Sequence, residues 1–168
     1  MLRRSSRIVD ALTAFAVLAA LFALAHHLTR KWGSEKDVIG PAFVVDGDTL
    51  EVAGRRVRLA GIDAPELRQT CGAPTQEWPC GAAARTALEA AVVHGLVHCT
   101  GRANDAYHRL VAICRVGEAD LASGLVRAGL ALSSGRYTAL EAEARATRQG
   151  IWSGPFERPV DWRAAHSR

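Results

Sequence analysis

The chain has 168 residues, of which 49% are hydrophobic and 23% charged, with 15 glycines and 6 prolines. This length accommodates one domain with a short additional segment, and the composition excludes collagen-like, low-complexity and wholly disordered chains. The net charge of +4 arises at the N-terminus, because 16 basic and 16 acidic residues balance each other from Ser34 onward. Overall basicity therefore gives no reason to infer a polyanionic partner, which has to be argued from local charge placement.

The N-terminal region combines three arginines with residues 11–29, a segment that contains no Asp, Glu, Lys or Arg. A helix of this length spans roughly 28 Å, close to the ~30 Å hydrocarbon core of a bilayer, and the preceding arginines follow the positive-inside rule. We expect residues 1–29 to be an export signal that remains as a membrane anchor. Cleavage after Ala23–Ala25, an A-x-A sequence, is the alternative, and a helix buried in the domain is a third interpretation.

Four cysteines follow the apolar segment, and these are Cys71, Cys80, Cys99 and Cys114. An even number in an exported chain favours disulfides, and four cysteines allow three pairings. Cys99 and Cys114 each end a strand-like run and could face each other across a hairpin, in which case Cys71 would pair with Cys80. A zinc site with the nearby histidines His94, His98 and His108 is the competing interpretation, although no second motif at ligand spacing supports it.

The remaining sequence alternates strand and helix patterns. Three strand patterns separated by tight turns come first, at residues 44–45, 49–52 and 56–59. A helical pattern and two further strands follow, at residues 81–93, 96–99 and 110–114. Asp120 and Thr138 are suitable N-caps for two more helices. This order predicts an α+β fold, for which a small Greek-key β-barrel is the simplest closed sheet.

Three acidic residues lie at the ends of the first strands. Asp48 is in the turn of the first hairpin and Asp63 follows the third strand, so that a curled sheet can bring both carboxylates to one rim. Two carboxylates without cysteine or histidine suit a hard cation such as Ca²⁺ or Mg²⁺. Glu66 lies on a segment that Pro65 keeps extended. Each acid alone fits a solvated turn residue, and only the set indicates a site.

Two arginines accompany these acids. Arg58 precedes Asp63 by five residues, and Arg109 follows Asp105 in the connection into the later hairpin. Guanidinium groups match phosphate oxygens and would stabilise the charge that develops at a five-coordinate phosphorus. The simpler interpretations are a surface strand residue for Arg58 and a structural partner of Asp105 for Arg109. A hard cation combined with arginines predicts phosphoryl chemistry.

Three motifs in this order resemble the thermonuclease, or staphylococcal nuclease-like, family: VVDGDT at residues 44–49, VRLAGIDAPE at residues 57–66 and DAYHR at residues 105–109. The resemblance extends from about Pro41 to Trp152 and implies a five-stranded OB-fold barrel with three helices. The corresponding organisation is an apolar N-terminal helix within 1–29, a linker at 30–39, the OB domain at 40–153 and a C-terminal tail at 154–168. The cysteines are similar to those of exported bacterial members.

The resemblance also implies roles for individual residues. One Ca²⁺ ion would be bound by Asp48, Asp63 and the backbone carbonyl of Ala64. The catalytic residues would be Glu66, which orients or deprotonates the attacking water, and the phosphate-binding Arg58 and Arg109.

Substrate binding is implied for two tyrosines, Tyr107 and Tyr137. Three positions depart from the family pattern. Gly135 stands where a second stacking tyrosine is expected, His108 where glycine is expected, and Ala64 where threonine is expected, although the ligand there would be a backbone oxygen. Stacking of one base on an aromatic ring is worth roughly 1 to 3 kcal/mol, so we expect weaker nucleotide affinity.

The function implied by the resemblance is Ca²⁺-dependent hydrolysis of DNA or RNA at the 5′ O–P bond, leaving 3′-phosphates. We expect a monomer without a protein partner, held on the periplasmic side of the inner membrane by its N-terminal helix, or periplasmic or secreted if the leader is cleaved. The alternative is a catalytically weak or inactive OB-fold module that binds nucleic acid or an anionic surface polysaccharide.

Overall fold

The computed structural model describes residues 13–25 and 35–166. The chain divides into two compact units, Met1–Ser34 and Glu35–Arg168. In the first unit, residues 13–25 form helix α1, and the rest of the predicted leader lies outside the described residues. Within the described ranges, no helix has both the length and the apolar character needed to cross a bilayer.

The second unit is built on a mixed seven-stranded sheet with the order β1-β6-β7-β4-β3-β2, to which β8 adds beside β7. The strands are β1 (Lys36–Gly40), β2 (Ala42–Val44), β3 (Thr49–Val52), β4 (Arg55–Leu59), β6 (Val97–Asn104), β7 (Leu110–Val116) and β8 (Ala119–Asp120). Strands β4 and β7 are parallel and the other pairs are antiparallel. Pro41, between β1 and β2, accepts a hydrogen bond of 3.2 Å from Ala53 N, directly after β3, which connects the start of the curled sheet to the first hairpin.

A second, two-stranded sheet pairs β5 (Ile62–Asp63) with β9 (Leu132–Ser133). The helices of this unit are α2 (Cys80–Val92), α3 (Leu121–Arg127), α4 (Thr138–Ala146) and α5 (Pro159–His166), with a 3₁₀ turn at Gly150–Ser153. The predicted α+β fold of the OB type is confirmed, and α2, α3 and α4 are the three predicted helices. Asp120 caps α3 through Ser123 N, whereas the N-cap of α4 is Tyr137 rather than Thr138.

The main core lies between the curled sheet and helices α2 and α3. It contains alternate residues of the strands, such as Leu50, Val57 and Leu59, and the helix residues Leu88 and Val126, all less than 2% exposed. Strand β1 begins this body although its residues fall largely in the predicted linker at 30–39. Only two of its five residues are buried, so the strand lacks a strong sequence pattern.

Both predicted disulfides are present, Cys71–Cys80 and Cys99–Cys114. Cys99 and Cys114 are direct partners in the β6–β7 register, as the hairpin pattern indicates. No free cysteine remains among the described residues, which excludes the competing cysteine–zinc interpretation.

The Cys71–Cys80 disulfide belongs to a second apolar cluster, separate from the main core. It packs with Leu132 and Ile151, and the partly buried Trp152 and Phe156 pack against them. Gly72 N donates a hydrogen bond of 2.8 Å to Pro155 O. This cluster therefore fixes the C-terminal segment against the loop between β5 and α2.

Candidate active site

A cleft of about 550 Å³ opens beside the strand ends of the curled sheet. Its lining residues are Asp46, Asp48, Arg56, Arg58, Ala64, Pro65, Glu66, Tyr107, Arg109 and Arg163. Four of them are arginines and three are acids, and Asp63 pairs with two of the arginines, so the site combines guanidinium groups and carboxylates in equal number. Such a surface suits a phosphate group that also needs carboxylate chemistry close by.

The D-G-D turn that carries Asp48 is packed tightly into the molecule. Asp46 Oδ1 accepts a hydrogen bond of 3.1 Å from Asp48 N, which closes the turn. A Cβ atom at Gly47 would lie 2.8 Å from the Cβ atoms of both Ala64 and Ala84. Glycine therefore allows the turn to approach the Ala64 segment and helix α2, and this approach buries Asp48 to 4% exposure.

Asp48 and Asp63 converge on one guanidinium group. Arg58 donates from Nη1 to Asp48 Oδ1 at 2.8 Å and from Nη2 to Asp63 Oδ1 at 2.9 Å. Arg58 on β4 is the register partner of Thr49 on β3, and Thr49 directly follows Asp48 in the sequence. Asp63 belongs to β5, which pairs with β9. The predicted convergence of the two carboxylates at one rim of the sheet is therefore present.

The environment of Asp48 disfavours its negative charge overall. Burial raises the pKa of Asp48 to about 6, although Arg58 and hydrogen bonds from Ala64 N and Thr49 act in the opposite direction. The predicted ligand residue Ala64 is buried beside it and lines the same cleft. A buried carboxylate of this kind gains from a further positive charge.

Arg109 is held by the loop that precedes β7. Asp105 Oδ2 accepts 2.8 Å and 2.7 Å contacts from Arg109 Nε and Nη2, and Asp105 Oδ1 accepts from Tyr107 N and Arg109 N. Partial desolvation raises the pKa of Asp105, but these hydrogen bonds outweigh it and the net shift is downward. His108 has a φ of 63°, the left-handed conformation that favours glycine. The turn therefore has the backbone conformation expected for glycine, although histidine occupies this position.

Thr49 connects the two arginines through its hydroxyl group. Arg109 Nη1 donates to Thr49 Oγ1 at 3.2 Å, and Thr49 Oγ1 donates to Asp48 Oδ1 at 3.0 Å. Arg58 therefore contacts Asp48 directly, and Arg109 is connected to Asp48 through the Thr49 hydroxyl group.

Glu66 lies on the loop after β5 and is fixed at its backbone by Gln69. Gln69 is fully buried and accepts a 3.1 Å hydrogen bond from Glu66 N at Oε1, while Gln69 N donates to Glu66 O at 2.7 Å. A Cβ atom at Gly81, in the first turn of α2, would overlap Glu66 O. The helix start therefore packs directly on this loop, and only glycine permits that approach.

Arg163 of α5 is a member of the cleft that the sequence analysis does not identify. Its Nη1 donates to Asp63 Oδ1 at 3.0 Å and to Glu66 Oε1 at 2.8 Å, and its Nη2 donates to Asp63 Oδ2 at 3.2 Å. Arg163 follows Glu66 by 97 residues and lies in the segment predicted as a tail. No sequence motif marks it.

The two tyrosines predicted to bind substrate occupy different environments. Tyr107 lines the cleft, is 79% exposed and lies with its ring 5.3 Å from Arg109 Cζ. Tyr137 is buried in the main core, and its hydroxyl donates to Asp120 at 2.9 Å. Burial and this hydrogen bond raise the pKa of Tyr137 to about 12. The structure therefore brings Tyr107 to the cleft but not Tyr137.

The donor set at Asp48 and Asp63 fits a hard divalent cation. Both carboxylates lie within hydrogen-bond distance of the same guanidinium group, and oxygen ligands of this kind suit Ca²⁺ or Mg²⁺. Across residues 13–25 and 35–166, no group of three or more His, Cys, Asp or Glu residues is arranged to hold a metal ion. Two carboxylates would therefore need backbone, water or substrate oxygens to complete a coordination shell.

An OB-type barrel with paired carboxylates and arginines at its rim defines a class of proteins suited to phosphodiester chemistry. The family model described as staphylococcal nuclease homologue matches residues 56–154. The chain belongs to this family of nuclease-like proteins, as its motifs predict.

Three similar proteins have curated names. The succinoglycan biosynthesis protein ExoI of Rhizobium meliloti is 35% identical over 82% of this chain and 73% of its own length. The protein ParB of Escherichia coli is 31% identical over 97% of this chain and 94% of its own length. A probable endonuclease, LCL3 of Verticillium alfalfae, is 30% identical over 79% of this chain, which spans half of that protein.

Proposed function

We propose that this protein is an exported, Ca²⁺-dependent nuclease that hydrolyses DNA or RNA at the 5′ O–P bond and leaves 3′-phosphates. The observation that carries the proposal is the convergence of Asp48 and Asp63 on Arg58, which lines one cleft together with Asp48, Glu66 and Arg109. The family membership and the name of the endonuclease relative support the nuclease part of the proposal.

The residues of the cleft have complementary roles in this mechanism. Arg58 and Arg109 bind the phosphate and stabilise the charge that develops as water attacks in line with the departing 5′ oxygen. The bond from phosphorus to the water oxygen forms as the P–O5′ bond breaks, and the 5′ oxygen takes a proton from solvent. Glu66 accepts the proton of that water as general base. Asp48, Asp63 and the Ala64 carbonyl would hold Ca²⁺, which when bound supplies Lewis-acid polarisation of the phosphate.

A second candidate function is a non-catalytic OB module that binds nucleic acid or an anionic surface polysaccharide. The observation in its favour is that Asp48, Asp63 and Glu66 are all engaged in ion pairs with arginines. The name of ExoI, a succinoglycan biosynthesis protein, also favours a polysaccharide setting. In this case the carboxylates serve to order the arginines rather than to perform chemistry.

A hydrolysis assay distinguishes the two functions. The purified protein is incubated with single-stranded DNA or RNA, with Ca²⁺ or with a chelator, and the product ends are identified by mass spectrometry. We expect cleavage with Ca²⁺, no cleavage with chelator, and 3′-phosphate products. Hydrolysis that persists in chelator contradicts the metal requirement, whereas binding without hydrolysis in Ca²⁺ supports the non-catalytic module.

The Glu66→Gln variant tests the proposed base in the same assay. Loss of a general base lowers the rate by about 10² to 10⁴-fold. Glu89→Gln is the matched control, because Glu89 pairs with Arg85 at 2.9 Å on α2 and lines neither the cleft nor its rim. An unchanged rate for Glu66→Gln would remove the assignment of Glu66.

A further inference from the structure

Arg163 is brought to the cleft by a helix that lies outside the part of the chain matched by the family model. The match ends at residue 154, and α5 spans Pro159–His166. Its guanidinium group joins Glu66 to Asp63 through three hydrogen bonds of 2.8 to 3.2 Å. The protein therefore adds a third ordered arginine to the two that its motifs provide.

The chain that supports Arg163 and the loop that carries Glu66 are held by the same buried side chain. Gln69 donates from Nε2 to Glu157 O at 2.7 Å and accepts at Oε1 from Glu66 N at 3.1 Å. Pro159, the first residue of α5, is also buried. Gln69 therefore connects the Glu66 backbone to the segment that immediately precedes α5.

Arg163 is also the cation that holds the Glu66 side chain. In the described part of the chain, the Glu66 carboxylate has no other ion-pair partner, whereas Asp63 is shared with Arg58. Glu66 and Asp63 are both acids, and their carboxylates would repel each other without a cation between them. The Glu66 side chain is only partly buried, at 30% exposure, so packing alone does not fix its position.

We propose that Arg163 is a positioning residue of the nuclease reaction, which holds the Glu66 carboxylate beside Asp63 and so makes α5 part of the active site. The inference rests on the proposed function of Glu66 as general base. The opposite role, in which the guanidinium group competes with a divalent cation for Asp63 and slows the reaction, is the alternative outcome of the test. The two roles differ in the direction of the rate change when Arg163 is replaced.

The test compares the wild-type protein with Arg163→Ala and Arg163→Lys at saturating Ca²⁺, the saturating concentration being set by calorimetry. Misplacement of a catalytic group by about 1 Å can cost 10²-fold, so we expect Arg163→Ala to lose about 10- to 100-fold in kcat with little change in KM. Lysine keeps the charge but not the planar fork and should recover part of kcat. Arg163→Lys also covers the case in which Arg163→Ala does not fold.

Two further measurements separate positioning from general destabilisation. In a Glu66→Gln background, Arg163→Ala should cause little additional loss, because residues that act as a unit are not additive. Arg85→Ala is the matched control, since it removes an arginine–glutamate pair of 2.9 Å on α2 and should leave kcat unchanged. Multiplying losses in the double variant would overturn the proposal.

The remaining outcomes decide whether Arg163 positions Glu66 or competes with the cation for Asp63. A kcat for Arg163→Ala equal to or above that of the wild-type protein overturns the positioning role, and a higher value assigns competition with the cation instead. Calorimetry of Ca²⁺ binding is independent of turnover, and loss of the guanidinium group beside Asp63 should tighten binding. Unchanged Ca²⁺ affinity would count against the proposal, because it would mean that the Arg163–Asp63 ion pair has no effect on the cation site. Wild-type protein without hydrolysis overturns the proposed function itself.

Discussion

Arg58 and Thr49, which are partners in the β3–β4 register, form the hydrogen bonds that connect the carboxylates and the arginines of the site. Arg58 bridges two carboxylates, and Thr49 connects Asp48 to Arg109. Arg58 and Arg109 each have at least one hydrogen-bond partner inside the cleft. These two guanidinium groups are therefore ordered before substrate arrives. Ordered donors cost little reorganisation when charge develops on a bound phosphate.

Tyr107 is the aromatic residue available for stacking on a nucleotide. We expect Tyr107→Ala to raise KM about 5- to 100-fold with a smaller effect on kcat, because stacking of one base is worth roughly 1 to 3 kcal/mol. Steady-state kinetics on a single-stranded oligonucleotide measures the effect. Tyr107→Phe keeps the ring and should retain most of the affinity.

Tyr137→Phe is the contrasting variant for this prediction. It removes the hydroxyl group that donates to Asp120, the N-cap of α3, while the ring stays in the core. The expected result is a loss of about 1 kcal/mol in the free energy of unfolding with KM unchanged. A raised KM for Tyr137→Phe together with an unaffected Tyr107→Ala would reverse the assignment of the two rings.

At the scale of elements, the loop between β5 and α2 has the greatest influence on the cleft. It carries Glu66, its second half is closed by the Cys71–Cys80 disulfide, and its backbone packs against Gly81 in the first turn of α2. The other disulfide, Cys99–Cys114, links the neighbouring strands β6 and β7 and lies outside this loop, and neither disulfide lines the cleft. We therefore expect the Cys71–Cys80 bridge to affect both stability and the position of Glu66, and the Cys99–Cys114 bridge to affect stability alone.

Replacing each cysteine pair by alanine tests this difference. Removal of either native disulfide should lower the free energy of unfolding by about 2 to 5 kcal/mol, measured by urea denaturation. Only Cys71→Ala with Cys80→Ala should also lower kcat at a temperature where the protein stays folded, because this bridge constrains the same β5–α2 loop that carries Glu66. Equal kcat losses for both double variants would argue against a specific effect on the loop.

The sequence motifs identify the parts of the site that depend on local structure. Asp48, Asp63 and Arg58 lie within a few residues of predictable turns and strands, so their convergence can be anticipated from a curled sheet. Arg163 is different, because only the packing of α5 brings it near Glu66, and no local pattern encodes that packing. Tyr137 shows the reverse limit, since its motif position gives no indication that the ring faces the core.

In the whole molecule, the excess of positive charge and the arginines of the cleft lie in different parts of the chain. The body from Ser34 onward is formally neutral, but its cleft is lined by four arginines and three acids. The excess of positive charge lies instead in the N-terminal region, before and after the apolar segment. Under the proposed function, the arginines of the cleft would bind the phosphate, and we propose that the N-terminal charges orient the chain at a membrane.

We propose that the N-terminal region exports the protein and that export allows both disulfides to form. Disulfides persist in oxidising compartments and are rare in the cytosol, and the body has two of them. Expression of the full sequence in a bacterial host should place the protein outside the cytoplasm with all four cysteines oxidised. A variant that starts at Ser34 should stay in the cytosol with reduced thiols.

Fractionation and intact mass measurement of the exported protein distinguish an anchor from a cleaved leader. An anchored protein stays in the membrane fraction with its full mass, whereas cleavage after Ala25 releases a protein shortened by the apolar segment. We expect the anchored form, because the uncharged segment from residue 11 to residue 29 matches the thickness of the bilayer core. Full-length protein found in the cytosol with reduced cysteines would contradict export, and the disulfides would then need another source of oxidation.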